Sequence, residues 1–177
     1  NTDQPSWPFR FYSLVDTLLL FDPPWHLTKL DSEGYKYLEH STDAFVQAYG
    51  SGLEELFENC AKGLVNIMFD INKVEIRESM TITADGNDLE NLLYDWLEKV
   101  LLKILIEQIV LSRFSIEISE NYSKKKKKKY LLRAHVGGEA VSYDKHEYKI
   151  EIKAVTYHEL KIQRLSSRYI ATFLVDL

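Results

Sequence analysis

The chain has 177 residues, 45% of them hydrophobic and 28% charged, enough for one globular domain with a real core and a tail to spare. No stretch reaches the about 18 uninterrupted apolar residues of a membrane helix, since the longest, 100–111, is broken by Lys103, Glu107 and Gln108. Six of the 22 basic residues form one run, so the rest carries 16 basic against 27 acidic residues, a formal charge of −11 that suits metal ions or a basic protein partner better than nucleic acid.

Residues 1–34 read as an N-terminal extension. Pro5, Pro8, Pro23 and Pro24 exclude a long continuous element there, while Trp7, Phe9, Phe11 and Trp25 make it too apolar for a plain disordered tail. Its apolar run 18–21 is too short for a signal peptide, and Cys60 is the only cysteine, so an intracellular, cytoplasmic setting is expected. The Asn121-Tyr122-Ser123 sequon is then accidental.

A regular domain is expected over 35–177. Short strands are predicted at 35–39 and 44–50, and Gly50 ends the second. Ser51-Gly52-Leu53-Glu54 has the capping-box pattern, in which the serine oxygen and the glutamate satisfy orphan amides at a helix start. Leu53, Leu56, Phe57, Cys60, Leu64, Ile67 and Met68 then follow helical spacing, with Cys60 a small buried apolar side chain. A strand is predicted at 74–84 with Ile76, Met80 and Ile82 alternating inward, followed by a turn at Asp85-Gly86-Asn87-Asp88 whose last residue caps a second helix. That helix carries Leu89, Leu92, Leu93, Trp96, Leu97, Val100, Leu101 and Ile104. Strands are expected near 113–119, 130–137, 148–158, 159–163 and 169–175. The sum is an α+β domain, two amphipathic helices packed on mostly antiparallel β-sheet.

Several chemistries are excluded. The seven glycines form no phosphate loop, and one cysteine forms no zinc pattern. His40, His135, His146 and His158 lie at no ligand spacing and read as structural histidines. Asp70-Ile71-Asn72 and Asp85-Gly86-Asn87-Asp88 lack the glutamate of a calcium loop and read as turn and cap. The lysine run, Lys124, Lys125, Lys126, Lys127, Lys128 and Lys129, reads first as a solvated hairpin tip and second as a cationic finger for RNA backbone.

Three distant pieces are more telling. Glu39-His40-Ser41-Thr42-Asp43 is a polar stretch between two strands, Lys153 is the odd charge in an apolar strand, and Asp176 interrupts the apolar end Phe173-Leu174-Val175-Asp176-Leu177. Asp176 and the Leu177 main-chain carboxylate together offer the oxygens that a hard cation wants.

These pieces, in order, resemble the archease family. The matching residues are Tyr35-Lys36-Tyr37-Leu38-Glu39-His40 with Asp43, Ala48-Tyr49-Gly50, Leu53-Glu54-Glu55-Leu56-Phe57-Glu58-Asn59, Met68-Phe69-Asp70, Asp88-Leu89, Leu92-Leu93-Tyr94-Asp95-Trp96-Leu97, Lys153-Ala154-Val155-Thr156-Tyr157-His158 and Val175-Asp176-Leu177. The resemblance implies a non-enzymatic cytosolic activator of the GTP-dependent tRNA-splicing RNA ligase, which promotes ligase guanylylation and turnover. It also implies a calcium site at Asp43, Asp176 and Leu177 and a ligase-facing Lys153; His40, three residues before Asp43, is read as standing beside the metal and facing the ligase. A chaperone role towards a tRNA methyltransferase is the alternative within the family. This chain departs from the family where Phe45 replaces a small residue after Asp43, and where His135-Val136-Gly137-Gly138-Glu139 lacks the aromatic residue common before its Gly-Glu turn. Two rivals from other classes stand beside it: a metal-dependent hydrolase built on Asp43 and Asp176, and an RNA-binding module working through the lysine run.

Overall fold

A computed structural model describes residues 34–38, 43–122 and 128–177. It contains two sheets and two long helices. Strands β1 (Tyr35–Leu38), β2 (Asp43–Gly50), β6 (Ala154–Leu165) and β7 (Arg168–Asp176) form an antiparallel sheet in the order β1-β2-β7-β6. Strands β3 (Glu78–Gly86), β4 (Ile109–Tyr122) and β5 (Lys128–Ala140) form a second antiparallel sheet in the order β3-β5-β4. Helices α1 (Leu53–Met68) and α2 (Leu89–Leu105) touch each other and both sheets, α1 against β2 and β4, α2 against β3 and β6. The expected α+β class holds, with two sheets around the helical pair.

The helical spacing explains this placement. Leu56, Phe57, Cys60, Leu64, Val65 and Met68 of α1 and Leu92, Leu93, Trp96, Leu97, Val100 and Ile104 of α2 are all buried. Each large one contributes about 1.5–3 kcal/mol to folding. Trp96 Nε1 donates to the Phe57 carbonyl at 3.1 Å and locks the two helices together. Burial pushes the Cys60 thiol pKa far up, as befits a side chain used only for packing.

Each helix is entered the same way, from a strand that ends in glycine. A Cβ at Gly50 would meet Leu56 N at 2.4 Å, and one at Gly86 would meet Leu92 N at 2.3 Å, so both turns need the missing side chain. Asp88 caps α2 as expected, accepting from Asn91 N at 2.7 Å. At α1 the capping box is displaced by one residue. The cap is Gly52, and Ser51 donates through its backbone N and its Oγ to Glu55, not to Glu54. Two further helical carboxylates reach strand backbones: Glu58 accepts from Ile116 N at 3.2 Å and Glu90 from Ile162 N at 3.1 Å. They satisfy amides of β4 and β6, the strands that end the two sheets.

Other expectations are corrected. The strand predicted at 74–84 starts only at Glu78, after a 3₁₀ turn, Ile71–Lys73, that Asp70 caps through Asn72 N. Ile76 is consequently half-exposed. The strands predicted at 148–158 and 159–163 are one strand, β6, which starts at Ala154 and bulges between Thr156 and Lys161. Glu159 inside the bulge has φ 58°, where the ladder register shifts. The strands near 113–119 and 130–137 are longer than expected and form one hairpin running out to the pair Tyr122–Lys128. Gly34 is the one described residue of the extension predicted over 1–34, and its carbonyl accepts from Tyr49 N at 2.7 Å.

Candidate metal and partner site

The site forms where β2 begins and β7 ends. Along β2 the side chains of Ala44, Val46 and Ala48 alternate towards the core, opposite Val175, Phe173 and Ala171 of β7. The intervening residues Asp43 and Phe45, with their partners Asp176 and Leu174, therefore share the other face. Asp43 and Asp176 are direct register partners. Directly opposed residues of an antiparallel pair hold their Cβ atoms about 5 Å apart, so the two aspartates are neighbours across the ladder.

The third strand completes the corner. Ala154, at the start of β6, pairs with Asp176 on its other side. The preceding residue, Lys153, donates its backbone N to the Asp176 carbonyl and its ammonium Nζ to the Leu177 carbonyl, both at 2.8 Å. The sequence-predicted residues Asp43, Asp176, Leu177 and Lys153 thus converge from three chain segments. Asp43 is partly buried, whereas Asp176 and Lys153 are exposed. His40 lies outside the described residues.

The donor chemistry can be tested against calcium. Among the described residues no group of three or more His, Cys, Asp or Glu side chains converges to hold a metal ion, at this corner or elsewhere, so a cation here would draw on two carboxylates and main-chain oxygen. Two opposed carboxylates with an adjacent main-chain oxygen fit a hard cation that takes oxygen ligands and retains water. The corner lies on an exposed sheet rim. The larger cavities, about 360 and 560 Å³, lie instead along the second sheet, around Arg113 and His135 and around Lys99 and Arg133.

The lysine run is divided. Lys124, Lys125, Lys126 and Lys127 lie outside the described residues. Lys128 pairs with Glu120 and Lys129 with Asp85, both at 2.9 Å, so these two are partly neutralised within the hairpin. The hydrogen bond to Tyr130, and then that to Glu120, raises the Lys128 pKa.

Sequence reasoning missed one polar centre. Glu139, buried at the end of β5, accepts from Glu75 N at 2.7 Å, Arg77 Nε at 3.2 Å and Lys145 Nζ at 2.7 Å. His146, fully buried, lies 3.0 Å from the same carboxylate through Nε2, while its Nδ1 accepts from Ser142 N at 3.1 Å. That backbone bond fixes the proton on Nε2. Lys145 above all, then the Glu75 backbone and His146, lower the Glu139 pKa to about 2 despite its burial. The reading of His146 as structural is correct, and its backbone ties the 142–148 turn to the end of α1, where Asp70 N donates to the His146 carbonyl at 2.8 Å. A glutamate just after Gly137-Gly138 in a strand was the available signal.

Comparison with known proteins agrees with this architecture. The model of the Archease protein family (MTH1598/TM1083) matches residues 35–177. The chain is 42% identical over 146 residues to Protein archease of Thermococcus gammatolerans and 39% over 143 to that of Sulfurisphaera tokodaii, in each case covering 81% of this chain and 98% of the relative. Among solved structures, Methanobacterium thermoautotrophicum protein 1598 aligns with a TM-score of 0.67 at 29% identity, covering 82% of this chain and 99% of that one. A Thermotoga maritima protein described as an archease and possible chaperone shares the fold, with a TM-score of 0.53 at 19% identity over 80% of this chain and 96% of its own.

Proposed function

Because this chain belongs to the archease family, we propose that it is a non-enzymatic activator of a GTP-dependent tRNA-splicing RNA ligase, with a calcium ion held by Asp43, Asp176 and the Leu177 main-chain oxygen. The observation that carries the reading is the β2–β7 register that sets the two aspartates opposite each other, beside Lys153. When bound, calcium supplies the positive charge that cancels their repulsion and ties the end of β7 to the start of β2. Lys153, just before β6, braces the same corner through its two bonds to Asp176 and Leu177, and its exposed side chain is open to a partner.

Mechanistically, the protein acts by position. A rigid corner of mixed charge docks beside the nucleotide site of the ligase, where a small correction of geometry changes a rate greatly. The hydrolase reading is weaker, because the two aspartates sit on a sheet rim and the larger cavities lie along the other sheet. The alternative within the family is a chaperone role towards a tRNA methyltransferase.

The test is ligase guanylylation with and without this protein, in calcium and in chelator, using Asp43→Ala, Asp176→Ala and Lys153→Ala. Activation is expected from the unaltered protein in calcium and a loss of at least tenfold from each variant. Full activation by all three variants would remove the corner from the mechanism.

A further inference from the structure

The outer face of the second sheet carries a dish that the ligase reading does not use. Three strands contribute to it in register. Ser79 of β3, Gly137 of β5 and Arg113 of β4 form one row, and Thr81, His135 and Ser115 form the next. Alternation turns these residues away from the buried positions Ile82, Ala134, Val136, Phe114 and Ile116. A cavity of about 360 Å³ opens among them, lined by Ser79, Met80, Thr81, Arg113, Ser115, His135 and Val136.

The dish exists because position 137 has no side chain. A Cβ there would stand 2.8 Å from Ile76 Cγ2 and 3.5 Å from Arg113 Nε. Ile76 and the Arg113 side chain therefore lean over bare backbone, and the arginine lies across the floor.

Its lining combines the apolar Met80 and Val136 with polar groups. Arg113 offers a fork of N–H donors, Ser79 and Ser115 offer hydroxyls, and none of the seven lining residues is acidic. Thr81 Oγ1 lies 3.3 Å from His135 Nδ1, so a hydroxyl donating to that nitrogen leaves the ring proton on Nε2, facing outward. In a body with an excess of acidic residues, a concave cluster of donors around one guanidinium selects an oxyanion, and the fork geometry favours a tetrahedral phosphate.

We propose that this dish binds one phosphate group, presented by an RNA strand or by a nucleotide, with Arg113 as its principal ligand and His135, Ser79, Thr81 and Ser115 around it. The site is separate from the Asp43–Asp176 corner and stands whether or not that corner holds calcium. It is also separate from the lysine run, whose described members Lys128 and Lys129 face Glu120 and Asp85.

An amide NMR titration of the full chain with inorganic phosphate tests it. The signals of Ser79, Thr81, Arg113, Ser115 and His135 are expected to move together and saturate, and Arg113→Ala to weaken the affinity about tenfold or more. Gly137→Leu, which fills the floor, is expected to abolish the response. Because that variant strains the packing against Ile76, the exposed Arg113→Ala variant decides if it fails to fold. Replacing residues 124–129 by serine is expected to leave the phosphate response unchanged. A single-stranded RNA oligomer and a nucleoside triphosphate, each added in competition, then identify the source by which of them displaces phosphate. Shifts scattered over the surface, or an Arg113→Ala affinity equal to that of the unaltered chain, would overturn the proposal.

Discussion

Asp176→Asn is expected to change the sign of its effect on stability between chelator and calcium. In chelator, Asp43 and Asp176 face each other across the β2–β7 ladder, and removing one of two opposed like charges relieves about 0.2–1 kcal/mol. The asparagine keeps the shape of the side chain, and the backbone bond from Lys153 N to the carbonyl of residue 176 is untouched. With calcium at about 100 times its dissociation constant, the unaltered protein gains about 2.7 kcal/mol through selective binding to the folded state. For a domain of this size 1 kcal/mol moves the melting temperature by about 3 °C, so calcium raises it by about 8 °C in the unaltered chain and by much less in the variant. The assay is thermal unfolding followed by circular dichroism, in chelator and over a calcium series. Equal calcium shifts in both proteins, or none in either, would refute the shared-cation reasoning. A variant already less stable in chelator would refute the repulsion.

Three further outcomes follow from the packing. Glu139→Gln removes a buried carboxylate that accepts from Arg77, Lys145 and His146, and denaturant unfolding near neutral pH should show a loss of about 3 kcal/mol. Since the folded pKa is lowered to about 2, the carboxylate stabilises fully above its ordinary range near 4.5. That contribution is lost as pH falls towards 2, so the gap between the two proteins should close over that window. Cys60 should resist thiol reagents in the native state and react at the rate of unfolding, because burial holds it as the neutral thiol, and labelling with and without denaturant checks this. Trp96→Phe loses the bond to the Phe57 carbonyl and leaves a void between the helices, with an expected cost of about 2 kcal/mol by denaturant titration.

The helices were legible in the sequence because their apolar spacing is long and unbroken, and burial alone decides them. The cap at Asp88 was legible for a local reason, a short carboxylate three residues before an orphan amide. What escaped the sequence depends on neighbours distant along the chain. Ile76 looked like a strand residue because it alternates with Met80, yet Asp70 caps a 3₁₀ turn beforehand and Glu139 claims the amide of Glu75, which holds 74–77 out of the ladder. The bulge at Glu159 was hidden because a residue with positive φ and an ordinary side chain leaves no signature in composition. Glu139 itself looked like part of a turn, and only the fold brings Arg77, Lys145 and His146 around it.

Asp43 and Asp176 are far apart in sequence, and the strand register is what makes them ladder partners. The inward alternation of Val46 and Ala48 against Phe173 and Ala171 fixes β2 on β7, since a slip by one residue would turn these side chains away from the helices. Once that alternation is set, Asp43 and Asp176 have no other relative position: each is the next residue along the same ladder. The packing of the core thus sets these two residues opposite each other at the end of the ladder.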